Sequence, residues 1–347
     1  MREYFLQLIK KQVFPGCNYA VIADDIEIDS VGNKSLIPNV EPNNTDTLYD
    51  LASLTKVVVT NTLITKLLQK NKINLTDKVK KYLPDFKHED ITIFHLLTHS
   101  SGLPSDIDWK ECNNRQELIK LMYDKNLIYK PGEDVIYSDL GFIFLGFIIE
   151  KIYNNSLDVI AFEEIFKPLN MNDTLFNPKD KDRCAPTEFT SNRGVVRCFV
   201  HDEKAYILGG VCGAAGLFST VSDLVKFTNM ILNDGKIGDK IFIEKQYIDL
   251  WFQPVVIGKQ GNIRSIGWCM GKDSMAGNLC SDNTIYHAGF TGNTLVIDRD
   301  NKIGFVFLSN RVHPTRDNKL LITERKNISN YLFNTILYSN IKKQKNK

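Results

Sequence analysis

The residues in this sequence that are best placed to act as catalytic groups are Ser53 and Lys56, which stand three positions apart in Ser53-Leu54-Thr55-Lys56. A serine hydroxyl is a weak nucleophile unless a base lies within hydrogen-bond reach. If a helix begins at Ser53, Lys56 lies one turn further along the same face and can serve as that base. The free N–H groups of the first turn would also favour an anion at Ser53. A base must be neutral, and we expect burial to keep the Lys56 amine uncharged.

The Ser-x-x-Lys spacing is weak evidence when it stands alone, because ordinary composition gives about one or two chance matches in a chain of this length. A second copy, Ser339-Asn340-Ile341-Lys342, does occur near the C-terminus. Few residues follow it that could build a site, so we interpret it as chance. The surroundings of Ser53 are more informative, since further motifs follow it in order.

Residues 48–56, Leu-Tyr-Asp-Leu-Ala-Ser-Leu-Thr-Lys, resemble the active-site segment of serine β-lactamases and penicillin-binding proteins, especially class C enzymes and related esterases. Tyr137-Ser138-Asp139 is similar to the second motif of that family, Tyr-x-Asn, and His287-Ala288-Gly289 to the third, Lys/His-x-Gly. Residues 95–104 resemble a structural segment of the same relatives. Residues 310–314 resemble a segment of the low-molecular-weight penicillin-binding proteins. Together these motifs span most of the chain.

The resemblance implies a reaction through an acyl-enzyme, with a catalytic role for each matched residue. Ser53 attacks a carbonyl carbon, and water later cleaves the resulting ester. Lys56 and the Tyr137 phenol share the work of the base and return the proton to the leaving group. His287 forms a hydrogen bond near Tyr137 or the leaving group. Two other readings stay open: a transesterase, which passes the acyl group to an alcohol, and a catalytically silent ligand-binding protein on the same fold.

The substrate-binding positions implied by the resemblance are Asp139, Ala288 and Gly289, and the oxyanion hole consists of the backbone N–H groups of Ser53 and Phe290. Two of these positions depart from the family pattern. The third motif lacks the lysine and the hydroxyl that help to hold a substrate carboxylate. An ionised Asp139 accepts hydrogen bonds only and repels carboxylates, whereas the usual Asn would donate. We therefore expect weak β-lactam turnover and better activity on esters, or on amides with a nearby amine.

The apolar pattern places strands near both chain ends and helices between them. We predict a strand at 19–22, a turn at 29–34, a helix over 53–69, a hairpin of 294–298 with 303–308, and a final helix over 323–338. The expected class is α+β with a β-lactamase/transpeptidase-like fold, in which helices flank an antiparallel sheet built from both chain ends. We expect residues 1–75 and 205–347 to form the sheet domain, residues 76–204 a mainly helical region, and the active site to lie between them.

Composition restricts the possible partners. The 43 basic and 41 acidic residues leave a net charge of +2, so we expect no nucleic-acid partner. No apolar run reaches the roughly 20 residues that a membrane span needs. The expected partner is a small-molecule ester, amide or β-lactam, and the chemistry requires no metal or organic cofactor. Oligomeric state stays open.

The cysteines and the N-terminus bear on location. The seven cysteines are scattered and form no Cys-x-x-Cys motif, so we expect reduced thiols. Residues 1–13 have the pattern of an amphipathic surface helix and lack the continuous apolar stretch of a signal peptide. Both observations favour a cytoplasmic location.

Four other groups offer competing chemistry, and we interpret all of them as structural. Tyr153-Asn154-Asn155 spells Tyr-x-Asn, but it closes an apolar run typical of a helix. Ser281-Asp282-Asn283 spells the class A second motif, yet it stands too close to the third motif to line an opposite wall. His95 and His99 have helical spacing for zinc but no third ligand. His201-Asp202 suggests a Ser-His-Asp triad, but no Gly-x-Ser-x-Gly segment accompanies it.

Overall fold

A computed structural model of this chain describes residues 1–272 and 275–345. The strands are β1 (Gly16–Ile22), β2 (Ile26–Ser35), β3 (Glu41–Pro42), β4 (Tyr49–Asp50), β5 (Leu175–Phe176), β6 (Phe189–Thr190), β7 (Gly194–Val195), β8 (Leu217–Ser219), β9 (Lys236–Ile237), β10 (Lys240–Ile241), β11 (Val256–Ile257), β12 (Ile263–Arg264), β13 (Cys269–Met270), β14 (Thr284–Ala288), β15 (Thr294–Asp298) and β16 (Ile303–Ser309).

The α-helices are α1 (Arg2–Lys10), α2 (Thr62–Gln69), α3 (Ile93–Leu97), α4 (Arg115–Tyr123), α5 (Asp139–Tyr153), α6 (Leu157–Ala161), α7 (Glu203–Ile207), α8 (Val221–Leu232), α9 (Lys245–Trp251) and α10 (Leu320–Lys345). Two π-helical stretches, Lys56–Asn61 and Phe162–Phe166, and a 3-10 turn, Val79–Lys81, complete the helical elements.

The large sheet is antiparallel throughout, and its nine strands follow the order β11-β12-β13-β14-β15-β16-β1-β2-β3. The first and last strands of the chain lie side by side, with Cys17 of β1 opposite Ser309 of β16. Every residue of both strands is buried, because helices cover both faces of the sheet there. The expected α+β fold, with a sheet built from both chain ends, is confirmed.

The two helical layers have different composition. On one face, α1 and α10 pack against the sheet through an aromatic cluster that includes Phe5, Phe307 and Phe333. Tyr4 and Tyr331 stack between these two helices, with ring centroids 4.1 Å apart. On the other face, α8 packs on β1, β15 and β16, and the core continues into α2 and α5. This second face carries the segment that contains Ser53.

Several predicted elements are confirmed or corrected. The hairpin of β15 and β16 is confirmed. The predicted turn at 29–34 is wrong, because the segment lies inside β2 and pairs with β1. Gly32 has φ +74°, and a Cβ there would meet the Pro15 carbonyl oxygen at 2.5 Å, so this glycine permits close packing of two strands rather than a chain reversal. The predicted helix over 53–69 is confirmed to within one residue, because helical structure runs from Leu54 to Gln69, with a π-helical stretch at Lys56–Asn61.

Three further points concern the limits of the chain's elements. The terminal helix α10 extends beyond the predicted 323–338 in both directions. The side chains of Ser339 and Lys342, the second Ser-x-x-Lys pair, lie outside the described residues. Among the helices that the structure describes, we find none with the length and apolar character needed to cross a bilayer. The division into residues 1–75 with 205–347 and residues 76–204 stays a prediction.

Candidate active site

Ser53 lies on a tightly held segment that follows β4. Ala52, directly before it, has a left-handed backbone with φ +46°, which is unfavourable for a residue with a Cβ. Asp50 holds this conformation, because its Oδ1 accepts the Ala52 N–H at 2.9 Å. The Thr55 hydroxyl donates to the Ala52 carbonyl oxygen at 2.7 Å. These bonds fix the backbone that carries the Ser53 hydroxyl.

The Lys56 side chain is fully buried and contacts Ser53 directly. Its Nζ donates to Ser53 Oγ at 3.0 Å and to the Ala214 carbonyl oxygen at 2.9 Å. It also lies 2.8 Å from Asp139 Oδ1. Three acceptors therefore match the three N–H donors of an ammonium group. The structure brings together the serine and the lysine that the sequence pairs.

The expectation that Lys56 is neutral is wrong. Burial by itself lowers the pKa of the Lys56 amine, but attraction to Asp139 and Tyr137 outweighs burial and raises that pKa above its ordinary value. At Asp139 the two effects have the opposite sign. Burial by itself raises the pKa of the carboxyl, but the positive charges of Lys56 and Lys204 outweigh burial and lower that pKa below its ordinary value. Asp139, which we expected to bind substrate, is thus the counter-ion of two lysines.

Lys204 is a second buried lysine at this site, and the sequence analysis missed it. Its Nζ lies 2.9 Å from Asp106, 3.5 Å from Asp202 and 3.6 Å from Asp139. Burial lowers the pKa of Lys204, but these carboxylates outweigh burial and raise it. No motif or spacing in the sequence marks Lys204, because its role depends on carboxylates from distant parts of the chain.

The Tyr137 side chain lies beside both Ser53 and Lys56. Both residues are close enough to lower the pKa of its phenol, Lys56 Nζ is 5.1 Å from the centroid of its ring, and Ser53 lines the same cavity. The His99 ring packs against it with centroids 4.5 Å apart. Burial raises the pKa of the Tyr137 phenol, and the positive charge of Lys56 opposes that rise. The three predicted proton-transfer groups therefore converge on one point.

His287 lies on β14, beside the ring of Tyr137. Its ring centroid is 6.1 Å from that of Tyr137, and its Nδ1 donates to the Ala288 carbonyl oxygen at 3.1 Å. Burial, together with the charges of Lys56 and Arg264, lowers its pKa well below the ordinary value, so the ring is neutral. Within the described residues its Nε2 has no partner. Among these residues it makes no hydrogen bond to Tyr137, and the other expected role, a hydrogen bond to the leaving group, stays a prediction.

The two predicted oxyanion-hole donors are available. The N–H groups of Ser53 and Phe290 donate to no acceptor in the part of the chain that the structure describes. The Asp50 carbonyl oxygen accepts from Thr291 Oγ1 and Asn293 Nδ2, each at 2.7 Å. These bonds tie the loop that carries Phe290 to the segment that carries Ser53.

Gly289 allows these two segments to approach each other. A Cβ at this position would meet the Leu51 carbonyl oxygen at 2.5 Å. The third motif therefore requires glycine for packing against the serine segment. Substrate contact by Ala288 and Gly289 stays a prediction.

A cavity of about 400 Å³ opens beside Ser53, and its lining includes Tyr137, Asp139, Lys204 and Phe290. Phe290 is 48% exposed, and its ring stacks on His201 with centroids 5.6 Å apart. A larger groove of about 960 Å³, around residues 87–90 and 127–131, contains none of the predicted catalytic residues. The smaller cavity is therefore the candidate substrate site.

The competing residues have structural contacts, although His201 and Asp202 also line the cavity. Tyr153 ends α5 and contacts Lys70. His95 completes the N-terminal cap of α3, and His99 Nδ1 accepts the Ser138 N–H at 3.1 Å. His201 Nε2 contacts Glu188 at 2.9 Å. Ser281 donates to Asp298 at 2.6 Å, beside β14.

We expect Asp50→Asn to destabilise the protein by about 2–3 kcal/mol and to lower its activity. The buried carboxylate accepts N–H groups from Ala52 and His201, at 2.9 and 2.7 Å, and an amide offers only one acceptor oxygen. Denaturant unfolding measures the loss, with the exposed Asp46→Asn as the control. Equal stability of the two variants would contradict the role assigned to Asp50.

Comparison with known proteins places this chain in a family. The sequence model of the Beta-lactamase family matches residues 1–329. An Escherichia coli strain K12 protein named "Putative D-alanyl-D-alanine carboxypeptidase" is 33% identical over 78% of this chain and 70% of its own length. A Bacillus subtilis strain 168 protein named "N-acetylmuramyl-L-alanine amidase" is 30% identical over 88% of this chain and 80% of its own length. The solved structure "A class C beta-lactamase" superposes with a TM-score of 0.75 and 20% identity, covering 94% of each chain. This chain belongs to the Beta-lactamase family.

Proposed function

We propose that this chain is a serine acyl hydrolase in which Ser53 forms an acyl-enzyme that water cleaves. The observation that carries the proposal is the 3.0 Å contact of Lys56 Nζ with Ser53 Oγ at the edge of the cavity. Membership of the Beta-lactamase family supports the reaction class, and so do relatives named as a carboxypeptidase and an amidase.

The resting charges determine how the Ser53 proton leaves. Lys56 begins as an ammonium, which cannot accept a proton. The pair of Lys56 and Tyr137 must therefore lose one proton before it can act as the base. That pair then takes the Ser53 proton while Oγ bonds to the carbonyl carbon, and it delivers the proton to the leaving group. The active fraction of the enzyme should rise with pH.

The backbone donors act on the oxygen that gains charge. The N–H groups of Ser53 and Phe290 bind the carbonyl oxygen more strongly as it becomes an oxyanion, which lowers the barrier. When the leaving group has departed, a water molecule attacks the acyl ester. The pair of Lys56 and Tyr137 is again the base. An alcohol in place of that water would give transesterification.

The charges around the cavity favour an acyl donor with a free ammonium group. Three carboxylates contact Lys204 at this end, those of Asp106, Asp139 and Asp202. The two buried ammonium groups, Lys56 and Lys204, offset two of these carboxylates. Asp106, the third, is exposed at the mouth of the cavity, where a substrate ammonium can reach it, and the exposed Lys110 lies at the same mouth. With neither lysine nor hydroxyl in the third motif, anionic β-lactams should bind weakly.

Ser53→Ala should abolish turnover of p-nitrophenyl acetate and labelling by a fluorophosphonate, since it removes the nucleophile. Mass spectrometry of labelled wild type should locate the adduct on the peptide that contains Ser53. The control is Ser105→Ala, a change at an exposed serine next to the cavity residue Asp106, and this variant should behave as wild type. Turnover that survives in Ser53→Ala would overturn the nucleophile, and an unlabelled wild type would favour the silent binding protein.

Asp139→Asn should move the acidic limb of the kcat/KM profile to lower pH by about one unit or more. The Asp139 charge raises the pKa of Lys56, so its removal lets the base form appear at lower pH. The pH profiles of wild type and Asp139→Asn on p-nitrophenyl acetate measure the shift. Asp106→Asn is the control, because Asp106 contacts Lys204 and not Lys56. A shift to higher pH would contradict this account.

Alanyl p-nitroanilide should be cleaved with a kcat/KM at least about tenfold higher than its N-acetyl derivative, because only the former carries an ammonium. Both alanine configurations should be assayed, with nitrocefin beside them. We expect nitrocefin to be the poorest of these substrates. Nitrocefin turnover at the level of a dedicated resistance enzyme, or preference for the acetylated amide, would refute the proposed substrate class.

A further inference from the structure

Arg325 places a buried guanidinium against the loop of the proposed oxyanion hole. The residue belongs to α10 and is only 9% exposed. Its Nη2 donates to the Gly289 carbonyl oxygen at 2.6 Å and, more weakly, to the Asn293 carbonyl oxygen at 3.3 Å. Nothing in the sequence motifs points to this residue, which lies 35 or more positions beyond the third motif.

The Gly289 carbonyl belongs to the same peptide unit as the Phe290 N–H. In an amide, the C=O and N–H groups share one delocalised electron system. A cation that hydrogen-bonds to the oxygen draws electron density away from the nitrogen, and hydrogen bonds in such a chain polarise one another. The bond from Arg325 therefore makes the Phe290 N–H a stronger donor.

We propose that Arg325 is a positioning residue of the hydrolase, which polarises and orients the Gly289–Phe290 peptide so that its N–H stabilises the oxyanion. This inference rests on the proposed function, because it needs Ser53 to form a tetrahedral intermediate. It concerns a residue that does not touch substrate. Its contribution should grow as negative charge develops on the substrate oxygen.

The surroundings of Arg325 support a role for its charge. No carboxylate lies within ion-pair distance of it among the described side chains, and its Nε has no partner there. Burial, and then the nearby Arg311, lower its pKa to about 10, which leaves it protonated at neutral pH. Buried cations without a carboxylate are unfavourable. Among the described residues, the closest hydrogen bond of this cation is the one to the Gly289 carbonyl oxygen, where its charge can act on the peptide unit.

The loop is also tied from its other side, which makes the orientation of this peptide definite. The Gly289 N–H donates to the Asn293 carbonyl oxygen at 2.9 Å. Thr291 and Asn293 donate to the carbonyl oxygen of Asp50, just before the nucleophile. Arg325 thus completes the contacts that hold the Phe290 N–H relative to Ser53.

The test compares Arg325→Met, Arg325→Lys and Ser329→Ala. Ser329 lies one turn further along α10 and donates to the Met275 carbonyl oxygen at 2.6 Å, so its variant loosens the same helix without touching Gly289. For each protein, thermal unfolding reports on folding, p-nitrophenyl acetate gives kcat and KM, and phenylboronic acid reports on tetrahedral-state affinity. Fluorophosphonate labelling of Ser53 in wild type checks the proposed function separately.

We expect Arg325→Met to lower kcat about ten- to a hundredfold with little change in KM, and to weaken phenylboronic acid binding by a similar factor. That is less than or comparable to the loss of a whole oxyanion donor. Arg325→Lys should recover part of both, because it keeps the charge, and Ser329→Ala should stay within about twofold of wild type.

Two results would overturn the inference while Ser53 is still labelled: an Arg325→Met variant within twofold of wild type, or equal losses in Ser329→Ala. If Arg325→Met fails to fold, the Arg325→Lys variant provides the test. A lysine cannot reproduce the geometry of the guanidinium, so unchanged kcat and unchanged phenylboronic acid affinity in this variant would contradict the proposal that Arg325 orients the peptide. An unlabelled wild type would instead count against the proposed function itself.

Discussion

The whole site depends on the hydrogen bonds of one buried residue, Asp50. Its carboxylate accepts the N–H groups of Ala52 and His201, and its carbonyl oxygen accepts from Thr291 and Asn293. One residue thus fixes the strained backbone before the nucleophile, a wall of the cavity and the loop of the oxyanion hole. Strain of this kind persists only where surrounding contacts over-determine it.

The second organising feature is a row of alternating charges, from Lys56 through Asp139 to Lys204 and its other carboxylates. Lys56, Asp139, Lys204 and Asp202 are buried or partly buried, so each of these needs its neighbours, whereas Asp106 is exposed at the end of the row. The Asp at the second motif is therefore part of this row rather than an isolated departure from the family's Asn. It alters the protonation of the base and the charge of the cavity together.

The sequence was sufficient to predict elements with strong local patterns. The hairpin of β15 and β16 and the sheet built from both ends follow from apolar runs and turn residues, and the grouping of Ser53, Lys56 and Tyr137 follows from the family resemblance. Features that depend on distant partners were not predictable. The charge of Lys56 is set by Asp139, which is far away in the chain, and β2 forms because β1 pairs with residues whose composition is typical of a turn. Lys204 and Arg325 act through backbone or charge contacts that leave no spacing signal.

The adjacency of β1 and β16 joins parts of the candidate site that lie far apart in the sequence. The segment of Ser53 contacts the loop that carries Phe290, and α10 contacts that loop from its other side. Such distant contacts are slow to form and cannot form in a fragment. Removal of α10 would therefore leave the serine segment itself unchanged but would deprive the Phe290 loop of its contact with Arg325.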